Sequence, residues 1–279
     1  MKKANGWLAL LLAVCLAAGC ATSCNSKGDY GAALAALDKT LALETFQVDG
    51  IIDSWFEGDE FGMDPGEIGM EDANSHGIIE FTESFLTEQG ETRYYVESLL
   101  KYESPVWAQT KARYWYEDGF VYVIADPTQF RDGEFSATKT TATKFERTLE
   151  EVLVSFDFRQ LIARFDETQI IQGSFTEQED GSAVYTATLK GESLLPDSMD
   201  WSLGGQECED TQAVIKIVDG YATELTFHYV FNNEEQGTKS NMKVQFDFSK
   251  LGSGVEIPER PQENYVMDKD HPTGRFELF

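Results

Sequence analysis

Three Asp-Gly dipeptides, each set between runs rich in β-forming residues, restrict this chain more than any other feature of its sequence. Asp118-Gly119 separates residues 112–116 from 120–124, Asp219-Gly220 separates 213–218 from 221–231, and Asp180-Gly181 separates 170–176 from 182–189. A tight hairpin turn needs residues that tolerate positive φ, which Asp-Gly supplies, so the strands on either side become antiparallel neighbours. Further strand-like runs occupy residues 45–55, 77–85, 92–100, 106–116, 120–125 and 243–248, and Gly50 stands where a bulge or bend is expected. The chain therefore builds an antiparallel meander.

Two segments follow a helical period instead. Tyr30, Ala33, Leu34, Leu37 and Leu41 share one face, Asp29 is placed to cap the N-terminus, and neither Gly nor Pro occurs from Ala32 to Leu43. Between the two sets of strands, residues 148–165 carry Leu149, Val152, Leu153, Phe156, Leu161, Ile162 and Phe165 at helical spacing. Thr148 and Glu151 have the spacing of a capping box, and residues 155–157 divide the segment, with Asp157 capping the second part. Helix followed by meander thus occurs twice, at 30–125 and 148–248, without a residue-level repeat.

The strands show which face is dry. In 221–231, Tyr221, Thr223, Leu225, Phe227, Tyr229 and Phe231 lie on one side and Ala222, Glu224, Thr226, His228 and Val230 on the other; in 243–248, Val244, Phe246 and Phe248 oppose Lys243, Gln245 and Asp247. With one apolar face and hairpin connections throughout, the expected class is α+β, an antiparallel sheet with its helices gathered on one face.

Composition sets outer bounds. Apolar residues make up 42% of the 279, including 19 Phe, 11 Tyr and 5 Trp, enough for a core and too many for a disordered chain. The length accommodates two ordinary domains or one large β-rich one. Forty-nine Asp and Glu against 22 Lys and Arg give a net charge of −27. Such a surface repels phosphate backbones and anionic head groups alike, which excludes a nucleic-acid partner.

The N-terminus carries an address. Lys2 and Lys3 precede an apolar run from Trp7 to Ala18, too short to cross about 30 Å of hydrocarbon as a helix, and read as a secretory signal. The run ends Leu16-Ala17-Ala18-Gly19-Cys20 and resembles the lipobox of bacterial lipoproteins, although leucine more often stands where Ala17 does. That resemblance implies a signal over residues 1–19, diacylglycerol on Cys20, a tether over 20–29 and a lipid-anchored protein at the cell membrane, facing its extracytoplasmic side. Cys24 is a weaker second site, and plain secretion with cleavage near Ala21 is the alternative. Removing 19 residues leaves 260, with 20 basic against 49 acidic side chains, so attachment falls to the acyl chains. Cys24 and Cys208 would then remain, either as a disulfide or as two free thiols.

With these features, the hairpin elements at residues 114–122 and 218–225 and the closing stretch 246–258, the chain is similar to the LolA/LppX-type lipoproteins over residues 30–262, with 263–279 as a tail that wraps the surface or frays. The resemblance implies a strongly curved antiparallel sheet, a half-barrel, with helices packed on its concave face and an apolar space that takes a lipidic ligand. Candidate lining residues are Trp115, Phe156, Phe158, Phe165, Phe227 and Tyr229. The alternative is a solidly packed surface interaction or sensory module that docks a membrane-protein partner.

Enzyme signatures are missing: no His-Glu-x-x-His, Gly-x-Ser-x-Gly or Walker-type loop occurs, and His76, His228 and His271 lack Cys or His neighbours at ligand spacing. No catalytic residue, metal site or cofactor is expected. Residues 57–77 combine seven acidic residues, no basic one, five Gly or Pro before Gly77, and Phe61, Met63, Ile68 and Met70. Clustered carboxylates suit Ca²⁺, but the alternating ligand spacing of an EF-hand is absent. A solvated loop, or one that docks a protein partner, is expected there.

Overall fold

The computed structural model describes residues 27–57, 75–104, 108–131, 134–137, 139–162, 166–191, 207–233 and 238–271. Helix α1 (Tyr30–Leu41) precedes strands β1 (Phe46–Glu57), β2 (Ser75–Glu88), β3 (Glu91–Ser104), β4 (Ala108–Glu117), β5 (Phe120–Arg131), β6 (Glu134–Ala137) and β7 (Thr141–Glu146). Helix α2 (Leu149–Phe156) and a single 3₁₀ turn (Phe158–Leu161) follow. The second meander comprises β8 (Ile170–Glu177), β9 (Ala183–Leu189), β10 (Glu207–Cys208), β11 (Thr211–Val218), β12 (Tyr221–Asn233) and β13 (Thr238–Ser249), and β14 (Val266–Met267) closes the series.

All these strands form one large, curved and unclosed sheet in the order β14-β7-β5-β4-β3-β2-β1-β13-β12-β11-β9-β8, with β6 beside β5 and β10 beside β12. The two meanders meet at β1 and β13, which pair antiparallel over their full length from Gln47–Ser249 to Glu57–Lys239. Every described pairing is antiparallel except β14 with β7, a short parallel contact at one edge that the hairpin pattern does not reveal.

Local chemistry accounts for most element ends. Both residues of Asp118-Gly119 and of Asp219-Gly220 have positive φ, between 51° and 78°, as a two-residue hairpin requires. Gln89-Gly90, unremarked in the sequence, forms the same kind of turn between β2 and β3. Asp29 caps α1 by accepting from the Ala32 amide. Thr148 and Glu151 form the capping box of α2, and Asp157 caps the 3₁₀ turn by accepting from the Arg159 amide at 2.8 Å.

Two strand expectations require correction. Gly50 makes no bulge; it stays in register between Phe246 and Phe81, and it is glycine because the tip of the Phe81 ring occupies the space where a Cβ would otherwise stand. In β12 an extra residue near Thr223 shifts the register against β11, so Ala222 is buried while Tyr221 and Thr223 are not.

The core lies on one side of the sheet. Val48 and Ile52 of β1, Phe81 and Phe85 of β2, Leu225, Phe227, Tyr229 and Phe231 of β12 and Val244, Phe246 and Phe248 of β13 join one buried cluster with Ala33, Ala36 and Leu37 of α1 and Val152, Phe156, Phe158 and Leu161 of the second helical segment. Both helical segments therefore pack on the apolar face, α1 over β11 and β12. On the opposite face, Tyr95, Trp115 and Ile124 form a second, smaller cluster beneath Ile257 and Tyr265 of the C-terminal strap. Trp115 Nε1 donates to Pro258 O at 3.0 Å, Arg260 pairs with Glu117 at 3.0 Å, and the His271 ring stacks on Phe145 at 3.7 Å. Through residue 271 the tail wraps the domain.

Candidate functional site

The apolar face of the sheet is the place where a ligand-binding function is expected, and it is assembled by strict alternation. Across β5, β4, β3, β2, β1, β13 and β12 the register aligns Val123, Tyr114, Val96, Glu83, Val48 and Phe248 on one row and places Phe246 and Leu225 on the next. The rings are in contact. Phe158, carried by the 3₁₀ turn, stands 5.5 Å from each of Phe46, Phe246 and Phe248, and Phe156 stands 5.0 Å from Tyr114. Farther along β12, Phe227, Tyr229 and Phe231 form a ladder with centroids 5.7 and 6.0 Å apart.

Of the six residues expected to line an interior, Phe156, Phe158, Phe227 and Tyr229 belong to this face and are buried. Trp115 does not. It alternates with Tyr114 and Tyr116 on β4, which turn toward the helices, and so faces the strap on the opposite side of the sheet. Phe165 and Cys20 lie outside the described residues, as do Cys24 and most of the acidic 57–77 segment. Cys208 carries a free thiol, hydrogen-bonded to Glu209 O and raised in pKa by burial.

Polar atoms on a dry face are costly unless paired, and two places break the apolar pattern. Tyr229 is wholly buried, and its hydroxyl has no hydrogen-bond partner among the described residues; burial holds its pKa far above the usual phenol. Glu83 is also wholly buried, between Phe81 and Phe85 on β2. Its Oε2 accepts from the Phe158 amide at 2.8 Å, while Oε1 and the neighbouring Tyr94 hydroxyl each lack a partner of ordinary geometry among the described residues. Burial, and then the nearby Asp157 charge, push the Glu83 carboxyl well above the carboxylate range. Asp157 in turn is forked by Arg159, whose Nη1 donates to Leu41 O at the end of α1 at 2.9 Å. This cluster was missed from the sequence, although a signal was there: Ile79, Phe81, Glu83 and Phe85 alternate along one strand face, and a carboxylate in that row is the anomaly.

Other polar groups lie elsewhere. His76 and Asp53 meet at 2.7 Å and the histidine ring stacks on Trp55, at the far end of β1 and β2. Among the described residues no three His, Cys, Asp or Glu side chains converge as metal ligands, and no helix is long and apolar enough to cross a membrane. Described residues alone form open cavities on the face away from the helices. One, of about 570 Å³, lies between the strap and Tyr122 and Lys144; another, of about 310 Å³, lies over Ile51, Thr82 and Leu99.

No protein-family model and no curated protein matches the chain. Among solved structures it is similar to a β-barrel-like protein of a domain of unknown function, DUF1849, from Brucella abortus. That match has 12% identity, 76% of this chain and 99% of that one covered, and a TM-score of 0.22. A putative AttH from Nitrosomonas europaea matches at 8% identity over 84% of this chain and 99% of the other, with a TM-score of 0.16. Superpositions this loose carry no argument, and the fold rests on the sheet itself.

Proposed function

We propose that the chain is a lipoprotein, anchored by diacylglycerol on Cys20 at the extracytoplasmic side of the cell membrane, whose LolA-like half-barrel binds an apolar or lipidic ligand without catalysis. The carrying observation is the extent of the apolar face. It continues from β7 to β8, eleven strands, or about 48 Å at 4.8 Å per gap. The described helices are small beside it: α1 is about 18 Å long and α2 about 12 Å. A cover of that size leaves most of the face to be closed by the sheet's own curvature, with the helices on its concave side, and curling an aromatic face inward makes a lipophilic interior.

The packing of Phe158 among three rings favours a second reading at the helix-covered end: a filled core, with the domain serving as a docking or sensory module for a membrane-protein partner. One experiment separates the two. The full chain is purified from membranes, and lipid is extracted with organic solvent, which leaves covalent acyl groups on Cys20. Carriage predicts stoichiometric extractable lipid and uptake of a hydrophobic fluorophore by the stripped protein; neither lipid nor uptake would discard it for the docking reading.

A further inference from the structure

The charged cluster under the 3₁₀ turn joins three parts of the molecule. Glu83 comes from β2 and Tyr94 from β3; Asp157 and Arg159 come from the helical cover. Arg159 also holds Leu41 O at the end of α1 and lies over the Phe46 and Phe85 rings, at 5.4 and 5.9 Å. These are the titratable groups that face Glu83: Tyr94 from the sheet, Asp157 and Arg159 from the cover. Two carboxylates therefore lie near one guanidinium, which Asp157 engages, and burial together with the Asp157 charge favours the neutral form of Glu83. With a proton, its carbonyl oxygen accepts from Phe158 N and its O–H can be given to the Tyr94 oxygen. Without one, the site holds a surplus negative charge that burial makes expensive.

We propose that this cluster is a proton-linked latch, holding the 157–162 segment and the end of α1 against the sheet while Glu83 is protonated and releasing them when it ionises. Hydrating an ionised Glu83 requires uncovering it, and what covers it is the backbone at Phe158. Arg159, 27% exposed, marks the way to solvent. The release then reaches α1 through Leu41. The latch depends on the geometry of the cover, whether or not a ligand binds.

The sign follows from linkage. Glu83 has a folded pKa above its unfolded value of 4.5, so its protonated contribution is complete below about 4.5 and is lost as pH rises through the folded pKa. The test is hydrogen exchange of the full chain, with protection of residues 157–162 and 38–41 normalised to the unfolded chain at each pH from 4 to 9. Wild-type protection should fall between about pH 4.5 and the folded pKa, by up to about ten-fold per pH unit, the limit for one proton, and level off above the folded pKa. Glu83→Gln keeps an acceptor for Phe158 N and cannot ionise, so its protection should stay flat. Protection that is flat in the wild type, or falls equally in Glu83→Gln, would overturn the latch. The wild-type profile alone decides the matter if the variant does not fold.

Discussion

Replacing Gly50 by alanine tests the arrangement at the centre of the sheet. A Cβ at this position would stand within 2.6 Å of three atoms of the Phe81 ring, about 1 Å inside carbon contact distance. The main chain cannot yield, because Gly50 is paired on both sides, to Phe246 and to Phe81. The ring must leave instead, giving up its edge contact with Phe246 at 6.2 Å and most of its 96% burial. Losing a buried phenylalanine's burial costs about 2–3 kcal/mol and the residual overlap about 1 more, while alanine returns about 0.5–1 through reduced chain entropy. The expected net loss is about 3 kcal/mol, or roughly 6–12 °C in Tm for a domain of this size. Denaturation followed by circular dichroism should show it. In a Phe81→Ala background the obstacle is absent, and Gly50→Ala should become neutral or stabilising. Equal costs in the two backgrounds would refute the explanation that the ring selects the glycine.

Two further changes probe the faces of the sheet. Tyr229→Phe removes a buried hydroxyl that has no partner among the described residues, so it should raise stability by about 1 kcal/mol in urea denaturation; a loss of that size would show the hydroxyl is satisfied in solution. Trp115→Ala removes the ring and the indole N–H that hold the strap at Pro258. Trypsin cleavage after Lys269 should accelerate at least several-fold while fluorophore uptake is unchanged, and reduced uptake with intact stability would return Trp115 to the interior.

Features determined within a few residues were legible from the sequence. Asp118-Gly119 and Asp219-Gly220 form the turns their chemistry requires, and Asp29, Thr148 with Glu151, and Asp157 cap where they stand. Contacts between distant segments were not legible. Trp115 is apolar, as are its neighbours Tyr114 and Tyr116, and only the arrival of Ile257 and Pro258 some 140 residues later shows that both faces of β4 are covered. The parallel pairing of Val266 and Met267 with β7 rests on two residues and leaves no periodic trace. Glu83 was the reverse case, a visible break in an alternating row, whose meaning came from Asp157 and Arg159 on another element.

The short parallel strand β14 also bears on one edge of the sheet. It lies along β7, the end strand of the main sheet, and covers Thr143 and Lys144. Amide and carbonyl groups along an uncovered end strand are a template for another chain. Loss of the strap would therefore add a second-order hazard to a first-order one: besides fraying faster, the protein would offer a strand edge to its neighbours. At high local concentration, copies with a detached strap are expected to associate edge to edge through β7.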